Sequence, residues 1–125
     1  MIAIDTSALV PYLAGERGAD LDLVDETLER GAAVLPPVVL TEILCARGLS
    51  ASLRRTLLAL PTLEITQGFW ERSGTLRAKL LALRLKARLA DTLIAQSCID
   101  HSVRLVTRDK DFRHFVRHGG LRLAT

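Results

Sequence analysis

Met1-Ile-Ala-Ile-Asp5-Thr-Ser-Ala-Leu-Val10 decides how the rest of the chain is read. A short, mostly apolar and β-prone run meets an aspartate, and helical spacing begins at once. An apolar run ahead of a hydroxyl-rich start signal predicts a buried strand that delivers Asp5 to its C-terminal edge, with Ser7 capping the helix that follows. In open α/β sheets ligands bind outside the carboxyl ends of the strands. A carboxylate at that edge is placed for chemistry.

Working outward, the first helix is expected to run to about Ala14 and stop at Gly15. Glu16 to Arg30 carries Leu21, Val24 and Leu28 on one face, an amphipathic helix closed by Gly31. Ala32–Leu35 reads as a second strand, and Pro36-Pro37 blocks direct continuation into a helix. A helix is expected from Val38 to Gly48, another from the cap Ser50 to Leu60, and a third strand over Leu63–Thr66 after Pro61. Residues 67–87 form a long basic helix pattern, and a fresh helix spans Leu89–His101. Arg104–Thr107 is the fourth strand. A polar turn, Arg108–Asp111, then leads to a short helix ending near Arg117, and Gly119-Gly120 leads to a last strand, Leu121–Leu123. Short strands alternating with helices predict one α/β domain over residues 1–125, with a parallel sheet covered on both faces.

The totals suit that reading. The chain has 125 residues, 49% of them hydrophobic and 25% charged, ordinary values for a soluble globular domain. No apolar run approaches the roughly 20 residues of a membrane span, and no signal peptide is visible, so a cytoplasmic location is expected. Cys45 and Cys98 both sit in helical apolar patterns and are expected in the core of a protein from a reducing compartment. The net charge of +3 is polarised. Residues 1–62 hold five Lys/Arg against eight Asp/Glu, and residues 63–125 hold twelve against six. A basic half suits a polyanionic partner. The few aromatics form no stacking platform of the kind RNA-recognition sheets use.

Four acidic residues stand out by placement. Asp5 ends the first strand, Asp109 follows the fourth, Glu42 lies in the helix after the second, and Asp91 opens the helix leading into the fourth. If the first and fourth strands are neighbours, Asp5 and Asp109 converge at a switch point, and their repulsion requires a cation. Oxygen ligands without His or Cys suit a hard ion, Mg²⁺ or Mn²⁺. The plainer alternative is helix capping, which fits Asp91 and Asp109 well. It fits Glu42 least, because that residue is flanked by Leu40 and Ile43-Leu44.

Four segments carry a resemblance: Ile4-Asp5-Thr-Ser-Ala-Leu-Val10, Val39-Leu-Thr-Glu42-Ile-Leu, Ala90-Asp91-Thr-Leu-Ile-Ala95 and Leu105-Val-Thr-Arg-Asp109-Lys-Asp-Phe112. In this order the chain resembles the PIN-domain nucleases, most closely the VapC-type toxins of prokaryotic toxin–antitoxin pairs. The resemblance implies a three-layer α/β/α sandwich with strand order 3-2-1-4-5. It implies that Asp5, Glu42, Asp91 and Asp109 are the four acidic residues of a metal site that hydrolyses RNA. Asp5 and Asp109 would be direct ligands, with Glu42 and Asp91 binding a second ion or orienting water. Thr6 and Thr107 match hydroxyl positions beside that site, and Asp111 is a further acidic candidate. A cognate antitoxin and a homodimer are also implied by the resemblance. The first candidates for contact with the RNA backbone are Arg84, Lys86, Arg88, Arg108 and Lys110.

Rival readings are a housekeeping PIN nuclease and a non-catalytic binding module. A haloacid-dehalogenase phosphatase needs a second Asp two residues after the first, where this chain has Ser7. A receiver domain needs a phosphoacceptor Asp after a middle strand and a late Lys, and neither is evident. His114 and His118 have helical metal-binding spacing but no third ligand nearby, so they are read as surface residues. Trp70 beside Phe69 is read as core or interface filler.

Overall fold

Three short parallel strands, β1 (Ile2–Ile4), β2 (Ala33–Val34) and β3 (Arg104–Val106), form the centre of the computed structural model, which describes residues 1–125. They run in the order β2-β1-β3, with Ile2 opposite Ala33 on one side and Arg104 on the other. The expected outer strands shrink to single parallel bridges, Leu35 to Thr62 and Leu105 to Leu123. Counted as edges, these segments give the expected order 3-2-1-4-5. Beyond Leu63, residues Glu64 to Thr66 are exposed, so nothing apolar holds that segment against β2. Short edges of this kind also resist pairing with another chain.

Seven helices flank the sheet: α1 (Thr6–Leu13), α2 (Ala19–Glu29), α3 (Pro37–Leu44), α4 (Ala51–Leu58), α5 (Phe69–Ala82), α6 (Leu89–Asp100) and α7 (Arg113–Gly119). None is long and apolar enough to cross a membrane. Ser50 caps α4 as expected, accepting the Leu53 N–H at 3.0 Å. Other boundaries differ for local reasons. Asp5, rather than Ser7, is the N-cap of α1. Pro37 occupies the first position of α3, where a missing N–H costs nothing and the fixed φ is already helical. The long basic pattern splits at Arg84, which adopts φ +58°. Its N–H bonds Leu81 O at 2.9 Å and the Leu85 N–H bonds Leu80 O at 3.0 Å. That is a Schellman stop with arginine in the position glycine usually takes.

The core gathers Ala3, Ile4, Leu105 and Val106 from the strands with Leu9, Val39, Leu80, Ile94 and Phe115 from the covering helices, all fully buried or nearly so. Cys98 lies in it, and burial pushes its thiol up to about 12, with a smaller push from the Asp5 charge. Cys45, expected in the core, is exposed. It is the C-cap of α3, where the helix has already turned out of the core. Trp70 is 61% exposed and meets Phe69 edge-on.

Candidate active site

The pairing of β1 with β3 builds the site. Ile4 stands opposite Val106 and the Asp5 N–H bonds Val106 O at 2.9 Å, so Asp5 and Thr107 leave the sheet side by side. Asp5 is only 4% exposed, and every hydrogen bond its carboxylate receives falls on Oδ2. Ser7 Oγ donates to Oδ2 at 2.6 Å and Thr107 Oγ1 at 2.8 Å. Each hydroxyl then accepts a backbone N–H from the loop after β3: Arg108 to Ser7 at 2.9 Å, Asp109 to Thr107 at 3.0 Å. The two hydroxyls stitch the start of α1 to the end of β3 and leave Oδ1 free.

Sequence reading gives Ser7 a capping role alone. Its partner in the site lies 100 residues away, and no local pattern encodes that contact. Removing the Ser7 hydroxyl leaves the Arg108 N–H without its acceptor and Asp5 with one donor fewer. Ser7→Ala is expected to lose about 1–3 kcal/mol in urea unfolding. Ser7→Thr, which keeps the hydroxyl, is expected to retain most of that stability. Equal midpoints for Ser7→Ala and the parent would remove Ser7 from this role.

Asp91 sits in the first turn of α6, half-buried, and its carboxyl is pushed up to about 6. Burial is the largest cause, followed by the charges of Asp109 and Asp5. Arg88 opposes the shift and Glu42 adds to it. The four carboxylates singled out from sequence therefore share one electrostatic field at the carboxyl ends of β1 and β3. Glu42 is exposed, contrary to the expected apolar surround, because Val39 and Ile43 supply the buried face of α3. Thr6 Oγ1 donates to Glu42 Oε1 at 2.7 Å. Asp109 caps the 3₁₀ turn Lys110–Phe112, its Oδ1 accepting the Asp111 N–H at 2.9 Å. Asp111 faces Lys86, 3.1 Å away.

As the side chains stand, no three His, Cys, Asp or Glu residues are close enough to hold an ion together. The chemistry of the donors nevertheless fits a hard divalent cation: they are oxygens only, one of them the free Oδ1 of Asp5. The charges of Asp109 and Asp5 add to the burial that pushes Asp91 upward, and a cation among these carboxylates would relieve that electrostatic part.

The basic candidates fall into two groups. Arg108 is committed to Asp20 through two contacts of 2.6 and 3.1 Å, and reaches Glu16 at 3.7 Å. Lys86 is paired with Asp111. Arg84, Arg88 and Lys110 are exposed and make no ion pair. Lys110 lines a cleft of about 250 Å³ with Thr107, Asp109 and Arg113. His114 and His118 lie on α7 with no third metal-binding side chain beside them.

A family model described as the PIN domain matches residues 2–117. A search of curated proteins finds no match. Among solved structures, VapBC2 from Rickettsia felis, bound to a DNA fragment from its promoter, is similar over 98% of this chain and 97% of that one. The two share 20% identity with a TM-score of 0.73. FitAcB from Neisseria gonorrhoeae is similar over 100% of this chain and 97% of that one, at 16% identity and a TM-score of 0.71. VapBC-5 from Mycobacterium tuberculosis, a member of the VapBC family of toxin–antitoxin systems, is similar over 98% and 95%, at 19% identity and a TM-score of 0.62.

Proposed function

The chain belongs to the PIN-domain family, and from that premise we propose that it is a metal-dependent endoribonuclease, the toxin of a toxin–antitoxin pair. The observation that carries the reading is the shared field of Asp5, Glu42, Asp91 and Asp109 at one sheet edge. Toxin–antitoxin proteins of the same fold, covering nearly the whole chain, support the biological role.

Asp5 and Asp109 would hold an Mg²⁺ or Mn²⁺ ion, with Glu42 and Asp91 beside them. Held there, such an ion would supply positive charge at the scissile phosphate and would lower the pKa of a water. The chain's own groups provide positioning. Ser7 and Thr107 fix Oδ2 of Asp5 and leave Oδ1 free, so that it would be the oxygen available to an ion. Thr6 holds Glu42 by one oxygen, leaving the other to orient water. Asp111 pairs its carboxylate with Lys86, and its backbone N–H donates to Oδ1 of Asp109 and so supports that side chain. Arg84, Arg88 and Lys110 are the exposed cations of the original set still free to meet the RNA backbone. Arg108 instead fixes the loop after β3 to α2 through Asp20.

A cognate antitoxin and a second copy of the chain are the proposed protein partners, and the cytoplasm the proposed location. Leu81, Leu83 and Leu89, exposed around the turn from α5 to α6, offer apolar surface for such assembly. The direct test incubates purified, antitoxin-free protein with single-stranded and structured RNA in Mg²⁺, Mn²⁺ or EDTA. Cleavage is expected with either metal and none in EDTA. Folded protein that cleaves neither RNA in either metal would favour the binding-module reading.

A further inference from the structure

Resting on the nuclease reading, we propose that the polar face of α7 is a track for the RNA phosphate backbone, leading from Asp109 past Lys110 and Arg113 to Arg117. Three observations meet there.

Residues 112–118 read Phe-Arg-His-Phe-Val-Arg-His. Phe112 and Phe115 are fully buried and pin one side of the helix. Arg113 with Arg117, and His114 with His118, form two pairs at i, i+4 spacing, which places all four on one polar face. The two arginines stand about 6 Å apart along the axis. The face is therefore a short ladder of cationic and titratable side chains.

Two clefts join on this ladder. The first holds Asp109, Lys110 and Arg113. The second, of about 490 Å³, is lined by Arg113, His114, Arg117 and His118 with Leu85, and no carboxylate enters it. Arg113 belongs to both, so the surface is continuous from an acidic residue of the site to the end of the helix.

The third observation is pairing. Arg108 and Lys86, two of the cations that flank the acidic residues in sequence, are held by Asp20 and Asp111. Lys110, Arg113 and Arg117 have no such partner. An unpaired cation gains a phosphate without losing a carboxylate, and each phosphate neutralised releases a counter-ion. An acidic protein segment would need an apolar anchor to bind firmly, and this cleft offers Leu85 alone. Repeated backbone charge is the better match.

The experiment uses the full chain carrying Asp5→Asn, so that RNA survives, and reads anisotropy of labelled single strands of 4 and 12 nucleotides across a salt series. Adding Arg113→Gln with Arg117→Gln is expected to weaken the longer strand roughly tenfold and to make its salt slope shallower by about 1.4. The 4-nucleotide strand, confined to the acidic site, is expected to change little. Arg113→Lys with Arg117→Lys is expected to restore most of the affinity, because a point charge suffices for phosphate. Arg54→Gln with Arg55→Gln removes equal charge from α4, which leads to the opposite sheet edge, and is expected to leave both strands unaffected.

Unchanged affinity and slope in the glutamine variant, alongside metal-dependent cleavage by the native chain, would overturn the track and leave the nuclease reading intact. A native chain that neither cleaves nor binds RNA would overturn both. Loss of affinity for a co-expressed antitoxin with none for RNA would assign the face to the protein partner and likewise overturn the track.

Discussion

Asp5→Asn is expected to abolish metal-dependent RNA cleavage, with a loss of about 10³-fold or more, while the protein stays folded. The size follows from the several kcal/mol that a correctly held divalent ion contributes to phosphodiester hydrolysis, at tenfold per 1.36 kcal/mol. Folding survives because asparagine is as good an N-cap as aspartate, and its amide oxygen can still accept the Ser7 and Thr107 hydroxyls. What changes is the other atom. The free oxygen that would meet the ion becomes an NH₂ group, a donor with no charge. The substitution also removes one of the charges that push Asp91 upward, so melting in EDTA should occur at the same temperature or slightly higher. Cleavage rate and melting midpoint, measured on one preparation, separate this outcome from simple misfolding. Native-like cleavage by Asp5→Asn in Mg²⁺ would remove Asp5 from the chemistry.

What the sequence made legible is what local pattern encodes. The apolar run before Asp5, and the helix start around Asp91, placed both carboxylates at element ends, and β1 pairing with β3 brought them into one field. The alternation of short apolar runs with amphipathic segments pointed to an α/β domain with a parallel sheet, while the order of the strands came from the family resemblance alone. The outer strands were less legible, because their pairing depends on whether β2 and β3 offer enough length, and two or three residues do not. Glu42 misled for a related reason. Its apolar neighbours in sequence lie on a different side of α3, a matter of helical phase that flanking residues alone do not fix. Arg84 in the left-handed region was invisible, since arginine carries no turn signal and the Schellman bonds hold it there. The ion pairs that occupy Lys86 and Arg108 are contacts at long range. Charge counting could find the basic half of the chain but not which cations were still free.

Asp91→Asn is expected to move activity and stability in opposite directions. The carboxyl of Asp91, ordinarily near 3.8, is raised to about 6 in the fold. A raised acid favours its protonated form, so the native state is best supported below pH 4 and loses that support as pH climbs through 6. Such a shift would cost about 3 kcal/mol at pH 7 for a fully buried group. Asp91 is half-buried, and solvent screening brings the expected cost to about 1 kcal/mol, or about 4 °C in melting temperature. Asparagine removes that cost. It also gives up the favourable interaction of an anion with the first turn of α6, worth about 0.3–1 kcal/mol, so the net gain is smaller. In EDTA the variant should therefore match the native chain below pH 4 and pull ahead between pH 5 and 7. With Mg²⁺ present the order reverses, because an ion bound to the native cluster stabilises it by mass action and binds the variant less well. Cleavage should fall by about 10²–10³-fold in the variant. Burial contributes most to the raised pKa, and the repulsion from Asp109, Asp5 and Glu42 that adds to it is the potential that would draw in a cation. Parallel melting curves for the two proteins from pH 4 to 7 in EDTA would show that Asp91 carries no such strain.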